Sequence, residues 1–197
     1  MIIHFNLVRL IPMLPWKTSI GGMLTGSEID AEISSKGLAI TPYNRKNLNP
    51  NSYNLHCGNI VTLYHVTSHI DLMEPESYAV TESLIVSDDG LVLRPGLLYL
   101  MPTVETIRSE KYIPLITGRS SIGRLGVSIH QEAGFGDIGF AGKFTLQVKV
   151  TYPTKIYPGL PIAQVYFITP YGKVDRLYCG KYQHSNEAVT SRFNPDE

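Results

Sequence analysis

The chain has 197 residues, with 17 Lys and Arg against 17 Asp and Glu and a formal net charge of zero. That length fits one domain able to bury its own core. Balanced charge argues against long nucleic acid or an anionic membrane as partner, while leaving room for a small polyanion held by a local cluster. Thirteen Pro, 17 Gly and 12 Tyr favour a turn-rich β protein over a helical one. Two distant cysteines, Cys57 and Cys179, read as separate reduced thiols of a cytoplasmic protein. No apolar run is long enough to span a bilayer.

Residues 1–22 are apolar but broken by Pro12, Pro15, Trp16 and Lys17, without a small-residue cleavage site. They fail as a signal peptide and read as a docking arm or as an extension upstream of Met23. Residues 25–28 (TGSE) have capping-box spacing, with Ile29 and Ile33 on one helical face. Gly37 is the expected stop of that helix. Two alternating, β-branched segments follow around Gly58, between Ser52 and Val66. The spacings of His56, His65 and His69 match no compact metal motif, so they read as ordinary strand and loop histidines. The polar stretch 74–90 reads as a loop or hairpin connection. Strands are expected on either side of Pro95 and Gly96, over 112–117, over 143–150, and around Pro158 and Gly159. In KFTLQVKV, Phe144, Leu146, Val148 and Val150 share one face, with Thr145, Gln147 and Lys149 on the other. One early helix among short strands predicts a mainly β domain over 23–179, a distorted β-barrel or jelly-roll-like sandwich. The tail, 180–197, reads either as a disordered terminus or as an arm ordered by ligand. In the second case Lys181, Tyr182, Gln183 and Arg192 are candidate phosphate or base contacts.

The chemistry is densest in residues 118–142, GRSSIGRLGVSIHQEAGFGDIGFAG. Arg119, Ser120, Ser121 and Arg124 offer guanidinium forks and hydroxyls suited to phosphate oxygens. Asp137 is a carboxylate that could orient a water, Phe140 is an aromatic platform, and the glycines allow close backbone approach. No GxxxxGK[ST] loop, no HxE with PCxxC zinc set and no GxSxG elbow is present.

With these residues the chain resembles the dCTP deaminase and trimeric dUTPase superfamily. The segments carrying the resemblance are LTGSEIDAEISSKGLAITP, LNPNSYNLHCGN, LRPGLLYLMPTVETI with GRSSIGRLG, and AGFGDIGFAG through PGLPIAQVYF. The tail GKYQHSNEAVTSRF also resembles the deaminase ending. The resemblance implies a dUTPase-type β-barrel protomer, a homotrimer with sites between subunits, and dUTP or dCTP as substrate. By it Arg119, Ser120 and Arg124 line the phosphate and reacting-group side. Asp137 contacts the sugar 3′-hydroxyl and orients the attacking water, Phe140 lies under the sugar, and Ala133 presents its backbone to the base. Gln164 resembles a phosphate-contacting glutamine; Lys181 and Tyr178 resemble a tail lysine and tyrosine.

Three positions depart from the deaminase pattern. Gln147 stands where deaminases carry a glutamate, Glu132 where they carry a threonine, and Gly136 where an aliphatic residue precedes the aspartate. An amide cannot shuttle a proton at neutral pH, though it can hydrogen-bond a pyrimidine edge. Glu132 reads as a surface or interface glutamate, or as a displaced carboxylate replacing the missing one. Gly136 implies a looser loop. The resulting expectation is dUTP diphosphatase activity, with Asp137 holding the water and Arg119, Arg124, Gln164 and Lys181 neutralising phosphate charge. Mg²⁺ would arrive on the triphosphate. The alternatives are dCTP deamination, to dUTP or onward to dUMP, and nucleotide binding without turnover.

Overall fold

The computed structural model describes residues 21–130 and 133–196. The expectations for residues 1–20 and for Glu132 lie outside the described residues. The helix α1, Gly26–Ser34, starts at Thr25, whose side chain accepts from the Glu28 amide at 3.3 Å. Its apolar face anchors through Ile29, fully buried, a burial that contributes about 1.5–3 kcal/mol. The stop differs from the expectation. Lys36, not Gly37, takes the left-handed conformation, with φ 63°. The Gly37 amide then reaches back to the Glu32 carbonyl at 2.8 Å, closing the last turn.

Eleven strands follow among the described residues, and the expected alternation builds most of them. The first six are β1 Leu38–Thr41, β2 Tyr53–His56, β3 Ile60–Tyr64, β4 Thr81–Ile85, β5 Leu91–Leu93 and β6 Tyr99–Ser109. Next come β7 Ile113–Gly118, the one-turn helix α2 Ser120–Gly123, and β8 Val127–Ser128. The last three are β9 Ala141–Val150, β10 Thr154–Ile156 and β11 Pro161–Ile168. A six-stranded sheet runs β4-β3-β6-β9-β8, with β1 also paired to β6; smaller sheets are β10-β5 and β2-β11-β7. The fold is therefore mainly β, but the sheets do not close into one barrel. The 74–90 stretch holds a 3₁₀ turn and β4, which pairs antiparallel with β3. Both strands flanking Pro95 and Gly96 form, yet β5 pairs with β10 rather than with β6.

The β6–β9 pair frames the site. Phe144, Leu146, Val148 and Val150 all face the core, as the alternation requires. Midway the register slips: Pro102 faces Thr145 but Thr106 faces Lys143. Three β6 residues, 103–105, thus stand opposite Phe144 alone. The Thr103 hydroxyl repairs the broken ladder, accepting from the Phe144 amide at 3.0 Å and donating to the Glu105 carbonyl at 2.7 Å. The bulge turns Glu105 inward, 2% exposed. There it accepts from the His56 amide at 2.9 Å and lies 2.5 Å from His56 Nδ1. The two nearby histidines have separate partners, His65 with Glu82 and His69 with Ser68. Cys57 is buried and Cys179 exposed, both as free thiols. Among the described residues no helix is long and apolar enough to cross a membrane.

Candidate active site

A cavity of about 870 Å³ opens over the solvent face of β9. Lys143, Thr145 and Gln147 point into it because they alternate with the core residues of that strand. The 133–140 loop supplies Ala133, Phe135, Gly136, Asp137 and Phe140, and the tail supplies Tyr178, Lys181, Tyr182 and Ser185. Tyr64, Tyr78 and Leu100 also stand in the wall.

The loop is held closely. Gly136 is buried, its amide donating to the Pro114 carbonyl at 2.9 Å. A Cβ there would lie 2.9 Å from Pro114 Cγ and 3.0 Å from Phe144 Cζ. The glycine thus permits a tight approach, and the expected looseness is corrected. Phe140 donates its amide to the Asp137 carbonyl at 3.1 Å, closing a turn in which Gly139 has φ 95°. That geometry needs glycine. The turn presents the exposed Asp137 carboxylate to the cavity and buries Phe140 behind it. The Phe140 ring lies 4.7 Å from Phe144 and 6.1 Å from Tyr178, both tilted, an edge-to-face type of packing that fixes the wall.

The tail is seated on this loop and strand rather than trailing free of them. Gln183 accepts from the Ala141 amide at 2.9 Å and donates to the Gly139 carbonyl at 2.9 Å. The Lys143 amide donates to the Ser185 carbonyl at 2.7 Å, and the Val189 amide to the Thr145 hydroxyl at 2.9 Å. Gln183 and Arg192 do not line the cavity; Arg192 donates to the Lys181 carbonyl. Lys143 escaped the sequence reading, although it continues the Thr145 and Gln147 face by one step.

The second group of expected site residues lies elsewhere. Arg119, Ser120, Ser121, Arg124 and Gln164 do not line this cavity. Arg119 donates to the Pro161 carbonyl at 2.8 Å. Gln164 donates to the Gly118 carbonyl at 3.3 Å and accepts from Ser52 at 3.1 Å, so its amide braces β11 against β7. Ser120, Ser121 and Arg124 are exposed around α2. The chain therefore presents a cavity walled by loop, strand and tail and, outside its lining, an Arg–Ser corner.

His130 is mostly buried, and neither ring nitrogen has a hydrogen-bond partner among the described residues. Burial pushes its pKa down to about 4, because a charged ring there would lose its water. Its neighbour Ile129 accepts the Gln147 amide at 2.9 Å, bracing the strand under the cavity.

A family model described as dCTP deaminase-like matches residues 23–169. The chain belongs to that family. Among dCTP deaminase-like relatives, a "dCTP deaminase, dUMP-forming" of Cytophaga hutchinsonii is 42% identical over 174 residues, covering 88% of this chain and 98% of the relative. One of the same name from Clostridium botulinum is 44% identical with the same coverage. A crystal structure of 2′-deoxycytidine 5′-triphosphate deaminase from Agrobacterium tumefaciens superposes with a TM-score of 0.60 at 20% identity. It covers 76% of this chain and 49% of that one, a likeness of fold. This dCTP deaminase-like protein is thus an enzyme of the dCTP deaminase and dUTPase family. The relatives' names overturn the expectation of a plain dUTP diphosphatase. That expectation gave decisive weight to one amide, Gln147. Replacing one carboxylate removes one proton carrier and does not by itself decide whether a family member deaminates.

Proposed function

We propose that the protein converts dCTP to dUMP. In the first step dCTP and water give dUTP and ammonia; in the second, dUTP and water give dUMP and diphosphate. The observation that carries this reading is the 42% and 44% identity, over 98% of their length, to relatives named dCTP deaminase, dUMP-forming. The cavity supports it, since its volume suits a small-molecule ligand. Phe140 and Tyr178 give the sugar an aromatic wall, and Ala133 leaves room for a base against the backbone. Asp137 is the only carboxylate among the described residues lining the cavity, and we assign it the water that attacks the α-phosphorus. Gln147 cannot carry the proton of the first step. That step requires a group that takes a proton from the water attacking C4 and returns it to the departing nitrogen. We assign it to Glu132, which immediately precedes Ala133 in sequence.

The separate Arg–Ser corner supports a homotrimer in which Arg119, Ser120, Ser121 and Arg124 of one subunit face the cavity of the next. The phosphates would bridge the two halves. Among the described residues no group of three or more His, Cys, Asp or Glu could hold a metal. One cavity carboxylate suits Mg²⁺ arriving on the triphosphate with its waters better than a protein cage.

The test incubates the protein with Mg²⁺ and dCTP, following ammonia, dUTP, dUMP and diphosphate together. Wild type releases ammonia and dUMP. Asp137→Asn stops at dUTP and ammonia, while Glu132→Gln releases no ammonia but still converts supplied dUTP to dUMP. Each loss is expected at about 10²–10⁴-fold. A second reading, a homologue that holds dCTP without deaminating it, is favoured by the amide at 147. Tight dCTP binding without ammonia release establishes it instead.

A further inference from the structure

Among the described residues lining the cavity, Gln147 has the only carboxamide. It sits at mid-strand on β9, where its amide is tied to the Ile129 carbonyl and its Cα pairs with Leu100. Both fix where the side chain starts. The neighbouring polar groups are partly engaged or one-sided. The Thr145 hydroxyl accepts from the tail, the Tyr64 hydroxyl accepts from the Ser191 amide, Lys143 can only donate, and an ionised Asp137 can only accept. The Gln147 carboxamide has no hydrogen-bond partner among the described residues. It therefore places an unengaged donor and an unengaged acceptor side by side on a rigid strand.

We propose that Gln147 is the specificity-determining residue for the pyrimidine, reading cytosine and uracil equally well by turning its amide over. The proposal rests on the nucleotide reading above and deepens it. Cytosine presents an acceptor at N3 beside a donor at N4; uracil presents a donor at N3 beside an acceptor at O4. Those two patterns are mirror images in donor and acceptor, as are the two orientations of a carboxamide. With Nε2 toward N3 and Oε1 toward the N4 amine, Gln147 pairs cytosine. Rotated by half a turn about its last bond, it offers Oε1 to the N3 hydrogen and Nε2 to O4, and pairs uracil. An uncharged, reversible contact of this kind lets the uracil nucleotide stay in the cavity after its amino group has gone.

Calorimetric titration with the α,β-imido analogues of dCTP and dUTP in Mg²⁺ tests this, with the base checked by chromatography afterwards. Deoxyribose 5-phosphate serves as a ligand without a base. Wild type should bind the two analogues within about fivefold of each other. Gln147→Met keeps the length of the side chain and removes both patterns. It should weaken both analogues, each by about tenfold to a hundredfold, and leave deoxyribose 5-phosphate unchanged. Loss for one base only, or for neither, overturns the proposal. An equal loss for deoxyribose 5-phosphate also overturns it, because the effect then lies in the fold or the sugar contact. If wild type binds neither analogue, the nucleotide reading itself falls; a wild type that binds one base far better than the other removes only this inference.

Discussion

A single ring, His130, carries the clearest dependence on acid. Its folded pKa of about 4 lies below the ordinary value of 6.5. As pH falls through 6.5 the unfolded chain takes up the proton first, so stability declines, and the decline is complete below the folded value. The shift corresponds to roughly 3 kcal/mol. His130→Phe should therefore flatten the fall in unfolding free energy between pH 7 and pH 4 by about 2–3 kcal/mol, measured by denaturant titration at several pH values. An unchanged slope would show that another group titrates. The same residue marks the limit of sequence reading at this scale. Nothing in SIHQEAG distinguishes a histidine with two unpartnered nitrogens from one on the surface. That Asp137 and Phe140 share one wall of the cavity could be read from their closeness in one glycine-rich segment. Lys143 was overlooked because a lysine at a strand end ordinarily reads as solvated.

The loop, strand β9 and the tail are bonded into one unit, and Gly139 is where loop and tail approach most closely. Its φ of 95° and the 2.6 Å separation of a would-be Cβ from Leu177 Cβ leave no room for a side chain. Gly139→Ala combines backbone strain with a clash against the tail, and should cost about 1–3 kcal/mol. Hydrogen exchange would show where: the Tyr178, His184 and Lys143 amides, bonded to Ile138, Ala141 and Ser185, should lose protection before those of β11. Equal acceleration across the sheets would refute a local effect. At this scale the sequence was informative where periodicity and turns coincide, as in β9 and around Gly159. β4 was hidden because TESLI is almost wholly exposed and so carries no alternation. The β5–β10 pairing joins segments some sixty residues apart, a distance over which hydrophobic pattern gives no register. The tail is seated by backbone bonds to Ile138, Ala141 and Lys143 and by the Gln183 amide bridging Ala141 and Gly139; composition offers no sign of those pairings.

For the whole molecule the decisive feature is the separation of the Arg–Ser corner from the cavity. If adjoining subunits complete each other, two defective proteins should rescue one another. Arg124→Ala and Asp137→Asn subunits, each expected to lose diphosphate formation, should regain activity after being unfolded and refolded together. Random pairing leaves about a quarter of the sites with both halves intact. Absence of any regain would place both halves of the site within one chain. The bulge in β6 has a different consequence, concerning length. It adds two residues to the strand, an even number, so Leu100 and Pro102 before it and Thr106 after it all lie on the cavity side, opposite Gln147, Thr145 and Lys143. Deleting one residue there would invert everything downstream, turning Ile107 outward and breaking its pairing with Ile40. Deleting two would restore the faces and lose only the inward carboxylate that holds His56. Across this stretch the strand can change length in steps of two and not in steps of one.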